Sequence, residues 1–236
     1  MSLYPVNLKI EKRLCLVIGG GAVALRKIRG LVGGGAQVRV VSPLLLPELK
    51  DLIVEKDIEW VARGYVEGDL KGAFLVFAAT DDQKVQTIIK EEAVRYGVLL
   101  NSADDPKGCH FHVPAHFRRG KMLVTVSTEG GSPALSRKIR KKLEAEIAPG
   151  YAKVVDLLFL VRQEVVGEDG DSAVHRELFC SLLDGGVVEL ILSENWFELQ
   201  MLLLQELPGQ IDGVALLKKF LNISEEKDHS PADSLN

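Results

Sequence analysis

Hydrophobic positions along this chain alternate between short continuous runs and longer stretches with helical spacing. Leu14 to Ile18 is wholly apolar and short, the pattern of a strand buried on both faces. Ala22 to Val32 then carries apolar residues at helical spacing, and Gly33-Gly34-Gly35 closes that helix, as glycine beyond a helix C-terminus does. Ahead of both, Tyr4 to Ile10 alternates weakly and predicts an edge strand. Further strands are predicted at Gln37–Val41, closed by Ser42-Pro43, at Ile58–Ala62, at Phe74–Ala79 and at Val98–Leu100, which ends in Asn101. Leu46–Glu55 suits a short helix between them. Asp81 or Asp82 can cap a longer helix that runs to Tyr96 and stops at Gly97. Strands and helices alternating over short connections predict an open parallel sheet covered on both faces.

The first strand and helix enclose a motif. Gly19, Gly21 and Ala24 match the G-x-G-x-x-G/A dinucleotide fingerprint in its required strand–turn–helix setting. Gly19 permits the tight turn, Gly21 lets backbone approach a pyrophosphate, and Ala24 keeps the helix close to the strand. The N–H groups of Gly20, Gly21, Ala22 and Val23 and the positive end of the helix then face the phosphates. Ligands of such sheets bind beyond the carboxyl ends of the strands, so Gly19, Ser42-Pro43, Thr80, Asn101 and the following Asp104 are candidate site positions. The acidic residue that usually reads the ribose about 20 positions on is missing, since Val41-Ser42-Pro43 stands there. Ser42 could hydrogen-bond the ribose and Arg39 could meet a 2′-phosphate, so spacing alone leaves NAD and NADP open.

After Asn101 the pattern changes. Cys109–Val113 and Met122–Ser127 read as strands around a turn at Arg118-Arg119-Gly120-Lys121, which predicts an antiparallel hairpin. Ser132 is a good N-cap with Pro133 at the first helical position, and the helix that follows is crowded with Arg137, Lys138, Arg140, Lys141 and Lys142. A solvated face explains such a cluster, and so does an anionic ligand. Tyr151–Val166, Ala173–Leu183, a helix capped by Ser193 and running through Trp196 to Leu204, and Val214–Leu221 are helical in outline. The end of the chain is polar and expected to be disordered.

Composition narrows the class of function. The 236 residues are 47% hydrophobic and 26% charged with a net charge of −4, which gives no global electrostatic case for nucleic acid. No apolar run reaches membrane-spanning length, the N-terminus lacks a signal-peptide core, and three scattered cysteines fit reduced thiols, so a cytoplasmic protein without membrane contact is expected. His110 and His112 would share one face of a strand, with His116 or Cys109 as a third metal ligand. Their irregular spacing favours structural or surface histidines, and no metal ligand is assigned.

Four motifs occur in order: Gly-Gly-Gly-x-Val-Ala-x-Arg-Lys at 19–27, Ala-Ala-Thr-Asp-Asp at 78–82, Asn101-x-x-Asp104-x-Pro106, and Ser127-Thr-x-Gly-x-Ser-Pro-Ala-Leu-x-Arg137. Together they resemble the precorrin-2 dehydrogenase/sirohydrochlorin ferrochelatase family, the N-terminal half of siroheme synthase. The resemblance implies NAD-dependent oxidation of precorrin-2 to sirohydrochlorin, with insertion of Fe²⁺ in some members. It implies Asp104 as the essential aspartate and Asn101, Ser127, Thr128, Ser132 and Arg137 as substrate contacts. It also implies an intertwined homodimer through residues 113–148. Because the chain ends at Asn236, no methyltransferase half is expected. The expected fold is thus α/β: a Rossmann-like parallel sheet over 1–112, an α+β dimerisation region over 113–148, a small helical domain over 149–222 and a disordered tail over 223–236. Arg26 and Lys27 belong to the first motif, although a solvent-facing place on the helix accounts for them equally. The rival reading is a non-catalytic nucleotide-sensing module, like those gating potassium transport, which shares the glycine fingerprint and the Ala-Thr-Asp-Asp strand end.

Overall fold

The computed structural model describes residues 2–103, 105, 108–165 and 172–228, which form two compact units, one up to Val113 and one from Pro114 onward. The first contains β1 (Leu14–Ile18), α1 (Ala22–Gly33), β2 (Gln37–Val41), α2 (Pro47–Glu55), β3 (Glu59–Val61), β4 (Leu75–Ala78), α3 (Gln83–Tyr96) and β5 (Leu99–Ser102). Its strands pair in the order β3-β2-β1-β4-β5, all parallel. Alternate residues of each strand point to opposite faces, which gives two cores. Cys15, Val17, Val40 and Phe77 meet Ala24, Leu25, Ile28 and Leu31 of α1 and Leu49, Leu52 and Ile53 of α2. Leu16, Ile18, Val76 and Leu100 meet Ile89 and Ala93 of α3 on the other side. Strand β1 lies between β2 and β4, where the strand order reverses, and in sheets of this kind ligands bind beyond the carboxyl ends at that point.

The second unit begins with an antiparallel hairpin of β6 (Ala115–Arg119) and β7 (Met122–Val126), followed by α4 (Pro133–Glu146). Helices α5 (Tyr151–Val165), α6 (Ser172–Asp184), α7 (Val187–Leu192), α8 (Trp196–Glu206) and α9 (Gly213–Asp228) complete it. They bury a core of their own that includes Leu157, Leu182, Ile191, Leu199, Leu203 and Phe220.

Several local expectations change. Tyr4–Ile10 forms no strand: Tyr4, Val6 and Leu8 are exposed, while Ile10 packs on the end of α1 against Gly34. Cys109–Val113 is irregular as well, because its hydrogen bonds run back to β5 and the hairpin starts only after Pro114, which has no N–H to offer a ladder. The cap of α8 is Asn195, whose Oδ1 accepts from the Glu198 N–H at 3.3 Å, whereas Ser193 donates to the Glu189 carbonyl at the end of α7. The hairpin also touches α5, the first of the later helices, within the second unit. Lys121 of the hairpin turn lies over the Phe159 ring at 3.6 Å and pairs with Asp156 at 3.6 Å, and Gly120 sits against Ala152. Helix α9 runs on to Asp228, through the first six positions of the expected tail, and Ser224 donates to the Phe220 carbonyl at 3.0 Å.

Candidate active site

The turn after β1 is built from three glycines with different surroundings. Gly19 has φ +123°, and a Cβ there would lie 2.1 Å from the Ala79 carbonyl oxygen at the end of β4. At Gly20 a Cβ would lie 2.0 Å from the Leu44 carbonyl oxygen, and the Gly20 carbonyl itself accepts from the Leu46 N–H at 2.9 Å. Packing of the chain on itself therefore dictates both. At Gly21 a Cβ would meet nothing within 4 Å. Gly21 is the N-cap of α1, makes no side-chain cap, and no acidic residue stands in the first turn, where Ala22 and Val23 are exposed. The first N–H groups and the positive end of α1 therefore face open space, the donor set that a pyrophosphate fits. Ala24 is fully buried beneath the turn against the sheet.

At the end of β2 the Ser42 hydroxyl donates to the Leu44 carbonyl at 2.6 Å, and the Ser42 carbonyl accepts from Trp60 Nε1 at 2.9 Å. Pro43 is exposed beside it. Arg39 is engaged by Glu59 at 2.7 Å across the β2–β3 pair. At the end of β4, Thr80 Oγ1 accepts from the Asp82 N–H at 3.3 Å, and the Asp82 carboxylate caps α3 by accepting from the N–H groups of Lys84 and Val85. Buried Gln86 of α3 donates to the Thr80 carbonyl at 2.8 Å and accepts from the Ser102 hydroxyl at 2.6 Å, so one side chain spans the ends of β4 and β5. Asn101 turns its amide inward and donates to the Phe111 carbonyl at 2.9 Å. The Cys109 thiol accepts from the Ser102 N–H at 3.1 Å and donates to the Asp105 carbonyl at 3.2 Å. Asp104 lies outside the described residues. Its neighbour Asp105 is tied to Lys90 at 2.6 Å and to the Gly108 N–H at 3.3 Å.

The structure thus gathers Gly19–Ala24, Thr80 and Asn101 at the carboxyl ends of β1, β4 and β5, with Ser42-Pro43 at the end of β2. Ser127, Thr128, Ser132 and Arg137 belong to the other unit. There Thr128 Oγ1 accepts from the Ser132 N–H at 3.1 Å and lies 3.0 Å from the buried Ser136 hydroxyl. Ser127 Oγ accepts from the Glu129 N–H, and Ser132 Oγ accepts from the Leu135 N–H to cap α4. Arg137 is exposed, while Arg140 and Lys142 pair along the helix with Glu144 and Glu146. His110 Nδ1 lies 3.2 Å from both the Leu100 N–H and the Val98 carbonyl, accepting from the first or donating to the second according to its tautomer, and the strand expected to align it with His112 does not form. Among the described residues no three His, Cys, Asp or Glu side chains come together as a metal site.

Sequence reasoning missed Gln86, considered Cys109 only as a metal ligand, and left Lys27 open between the glycine-turn motif and a solvent-facing place. The Lys27 ammonium is half-buried and lies 4.8 Å from the centre of the Phe77 ring, and burial, with Arg26 beside it, pulls its pKa below the ordinary lysine value. A lysine adjacent to buried Ile28 on an amphipathic helix was the available signal.

Comparison with known proteins now bears on this geometry. A family model described as NAD(P)-binding matches residues 6–115, and one described as "Sirohaem biosynthesis protein central" matches residues 119–146. Siroheme synthase of Thioalkalivibrio sulfidiphilus is 37% identical over 193 residues, covering 82% of this chain and 40% of that protein. Siroheme synthase of Pseudomonas aeruginosa is 34% identical over 221 residues, covering 94% and 48%. The structure of the precorrin-2 dehydrogenase SirC is similar with a TM-score of 0.68 at 25% identity, covering 95% of this chain and all of that one. The chain belongs to the precorrin-2 dehydrogenase/sirohydrochlorin ferrochelatase family. It spans less than half the length of the siroheme synthases just named. The family's NAD(P)-binding segment takes in the parallel sheet and its open glycine turn, and its central segment takes in β7 and α4 from the last residue of β6 onward. No helix among the described residues is long and apolar enough to cross a membrane.

Proposed function

We propose that this chain oxidises precorrin-2 to sirohydrochlorin with NAD⁺ in the cytoplasm, as a step of siroheme biosynthesis. The observation that carries the reading is the uncapped N-terminus of α1 behind Gly21, open at the point where the strand order reverses. The residues present fit a dinucleotide. The N–H groups from Gly20 to Val23 would hold the pyrophosphate, Ser42-Pro43 would border the adenosine ribose, and Thr80 would border the nicotinamide ribose. Bound NAD⁺ supplies the hydride acceptor. Arg39 is occupied by Glu59, which favours NAD over a cofactor that carries a 2′-phosphate.

Asp104 is assigned as the base that takes the ring proton. Asp105 is the poorer candidate, because Lys90 and the Gly108 N–H already hold its carboxylate. Asn101, Ser127, Thr128, Ser132 and Arg137 are assigned to the substrate, whose acetate and propionate groups suit Arg137 and the basic face of α4. A homodimer is part of the same proposal. Helix α4 buries only Ser136 among its residues and leaves Leu135 and Ile139 exposed, which supports a second copy covering that side. The relatives found, siroheme synthases and a precorrin-2 dehydrogenase, support chemistry over the nucleotide-sensing module.

Incubation of the purified protein with precorrin-2 and NAD⁺ should yield the sirohydrochlorin spectrum, and its absence would overturn the reading. Addition of Fe²⁺ to that product then reads iron insertion, with iron as a second substrate. In the same assay Asp104→Asn should lose about 10²-fold or more in turnover while NAD⁺ binding is unchanged, and Asp105→Asn should lose less.

A further inference from the structure

Lys27 occupies the sixth position of α1, between the exposed Arg26 and the fully buried Ile28. Helical side chains lean toward the helix N-terminus, so its ammonium is drawn back toward the glycine turn and the carboxyl edge of the sheet. There it lies over Phe77, which stands in register with Asn101 of β5. The Phe77 ring in turn meets Phe111 edge-on at 5.5 Å, and Asn101 holds the Phe111 carbonyl. The floor beneath the charge is therefore fixed. Among the described residues Lys27 makes no ion pair, and the ring face and the nearby Cys109 thiol compensate a half-desolvated ammonium poorly, the more so with Arg26 beside it.

An anion at this place would complete the site. The dinucleotide is a poor source for it. Its pyrophosphate fits the first-turn N–H groups, and the half that extends to the β4 side ends in a nicotinamide with no carboxylate. We infer that Lys27 is a binding residue for a carboxylate of the macrocyclic substrate, gripping an acetate or propionate group over Phe77; this rests on the function proposed above. The aromatic floor and the Asn101 clamp fix the ammonium in advance, so the contact selects substrates that carry a negative group at that edge.

The test compares wild type, Lys27→Met and Lys27→Arg. Binding of uroporphyrin, a porphyrin with acetate and propionate side chains, is followed by fluorescence, NAD⁺ binding by calorimetry, and precorrin-2 oxidation by steady-state kinetics. Lys27→Met keeps the side chain's length without its charge. It should weaken uroporphyrin and raise the precorrin-2 KM by about tenfold, the scale of one charge-assisted hydrogen bond. NAD⁺ affinity should not move, the melting temperature should hold or rise, and Lys27→Arg should retain most of the binding. Unchanged uroporphyrin affinity in Lys27→Met, equal weakening of NAD⁺, or no uroporphyrin binding by the wild type would overturn the inference. A wild type that binds uroporphyrin but fails to oxidise precorrin-2 would overturn the functional reading alone, and selective loss in Lys27→Met would then still support the role of Lys27.

Discussion

A methyl group added at Gly20 would lie 2.0 Å from the Leu44 carbonyl oxygen, whereas one added at Gly21 would meet nothing within 4 Å. The two positions should therefore fail in different ways. Gly20→Ala forces the Leu44 backbone to move and should cost about 1–3 kcal/mol, read as a lowered melting temperature. Gly21 has φ −91° and ψ −170°, an extended conformation that valine adopts readily, so Gly21→Val should melt close to wild type. Its branched side chain would fill the space assigned to the pyrophosphate, and calorimetry should show NAD⁺ affinity falling by about tenfold or more. A folded Gly21→Val protein with unchanged affinity would remove the glycine turn from the cofactor site. Lys27 carries the complementary lesson. Its long aliphatic stem lets a charge sit at the margin of a core, and a polar letter in the sequence does not distinguish that from a solvated position.

Strand β1 shows how far element-level reading reaches. Its five apolar residues announce burial on both faces, and the strand does sit at the centre of the sheet. One of them, Cys15, is fully buried, and desolvation pushes its thiol from 9.0 to about 11. The unfolded chain therefore surrenders this proton first as pH rises, and stability should decline between pH 9 and about 11. Tyr65, raised by burial and by its hydrogen bond to Glu92, adds loss of the same sign at higher pH. Urea titrations across this window should show a shallower decline in Cys15→Ala, although that variant starts lower because of the cavity it leaves. A parallel decline in both proteins would show that the thiol keeps its ordinary pKa. The five parallel strands, α1 to α4 and their caps at Asp82 and Ser132 were legible because each rests on local pattern and capping chemistry. Cys109–Val113 was not. Its β-like letters lose to long-range bonds from Asn101 and Ser102, which no local pattern encodes.

At the level of the molecule, three apolar cores hold the chain together, and α4 contributes no apolar residue of its own to them. The sheet is sandwiched between α1 and α2 on one side and α3 on the other, and α5 to α9 close on their own core. The β6–β7 ribbon and α4 bury Phe117 and Ser136 but leave Leu135 48% and Ile139 37% exposed. If a second copy covers this side, Ile139→Glu should convert a dimer into a monomer in analytical ultracentrifugation, with NAD⁺ affinity retained. A monomeric wild type, or a variant that still dimerises, would refute that arrangement. The cofactor half of the candidate site was readable because a glycine turn, a strand end and a helix start are contiguous in sequence. The residues proposed for the substrate rest on family resemblance alone, because Ser127–Arg137 and Asn101 belong to different units and spacing along the chain carries no information on them.

The bridge made by Gln86 bears on the thermodynamics of binding. Its amide fixes the Thr80 carbonyl and the Ser102 hydroxyl at once, so the ends of β4 and β5 are locked in spacing before any ligand arrives. The ordering of that edge is completed during folding and is not charged again when a dinucleotide docks. Cofactor association at this edge should accordingly proceed with little loss of backbone freedom, and the sheet should behave as a fixed template whose shape does not depend on occupancy.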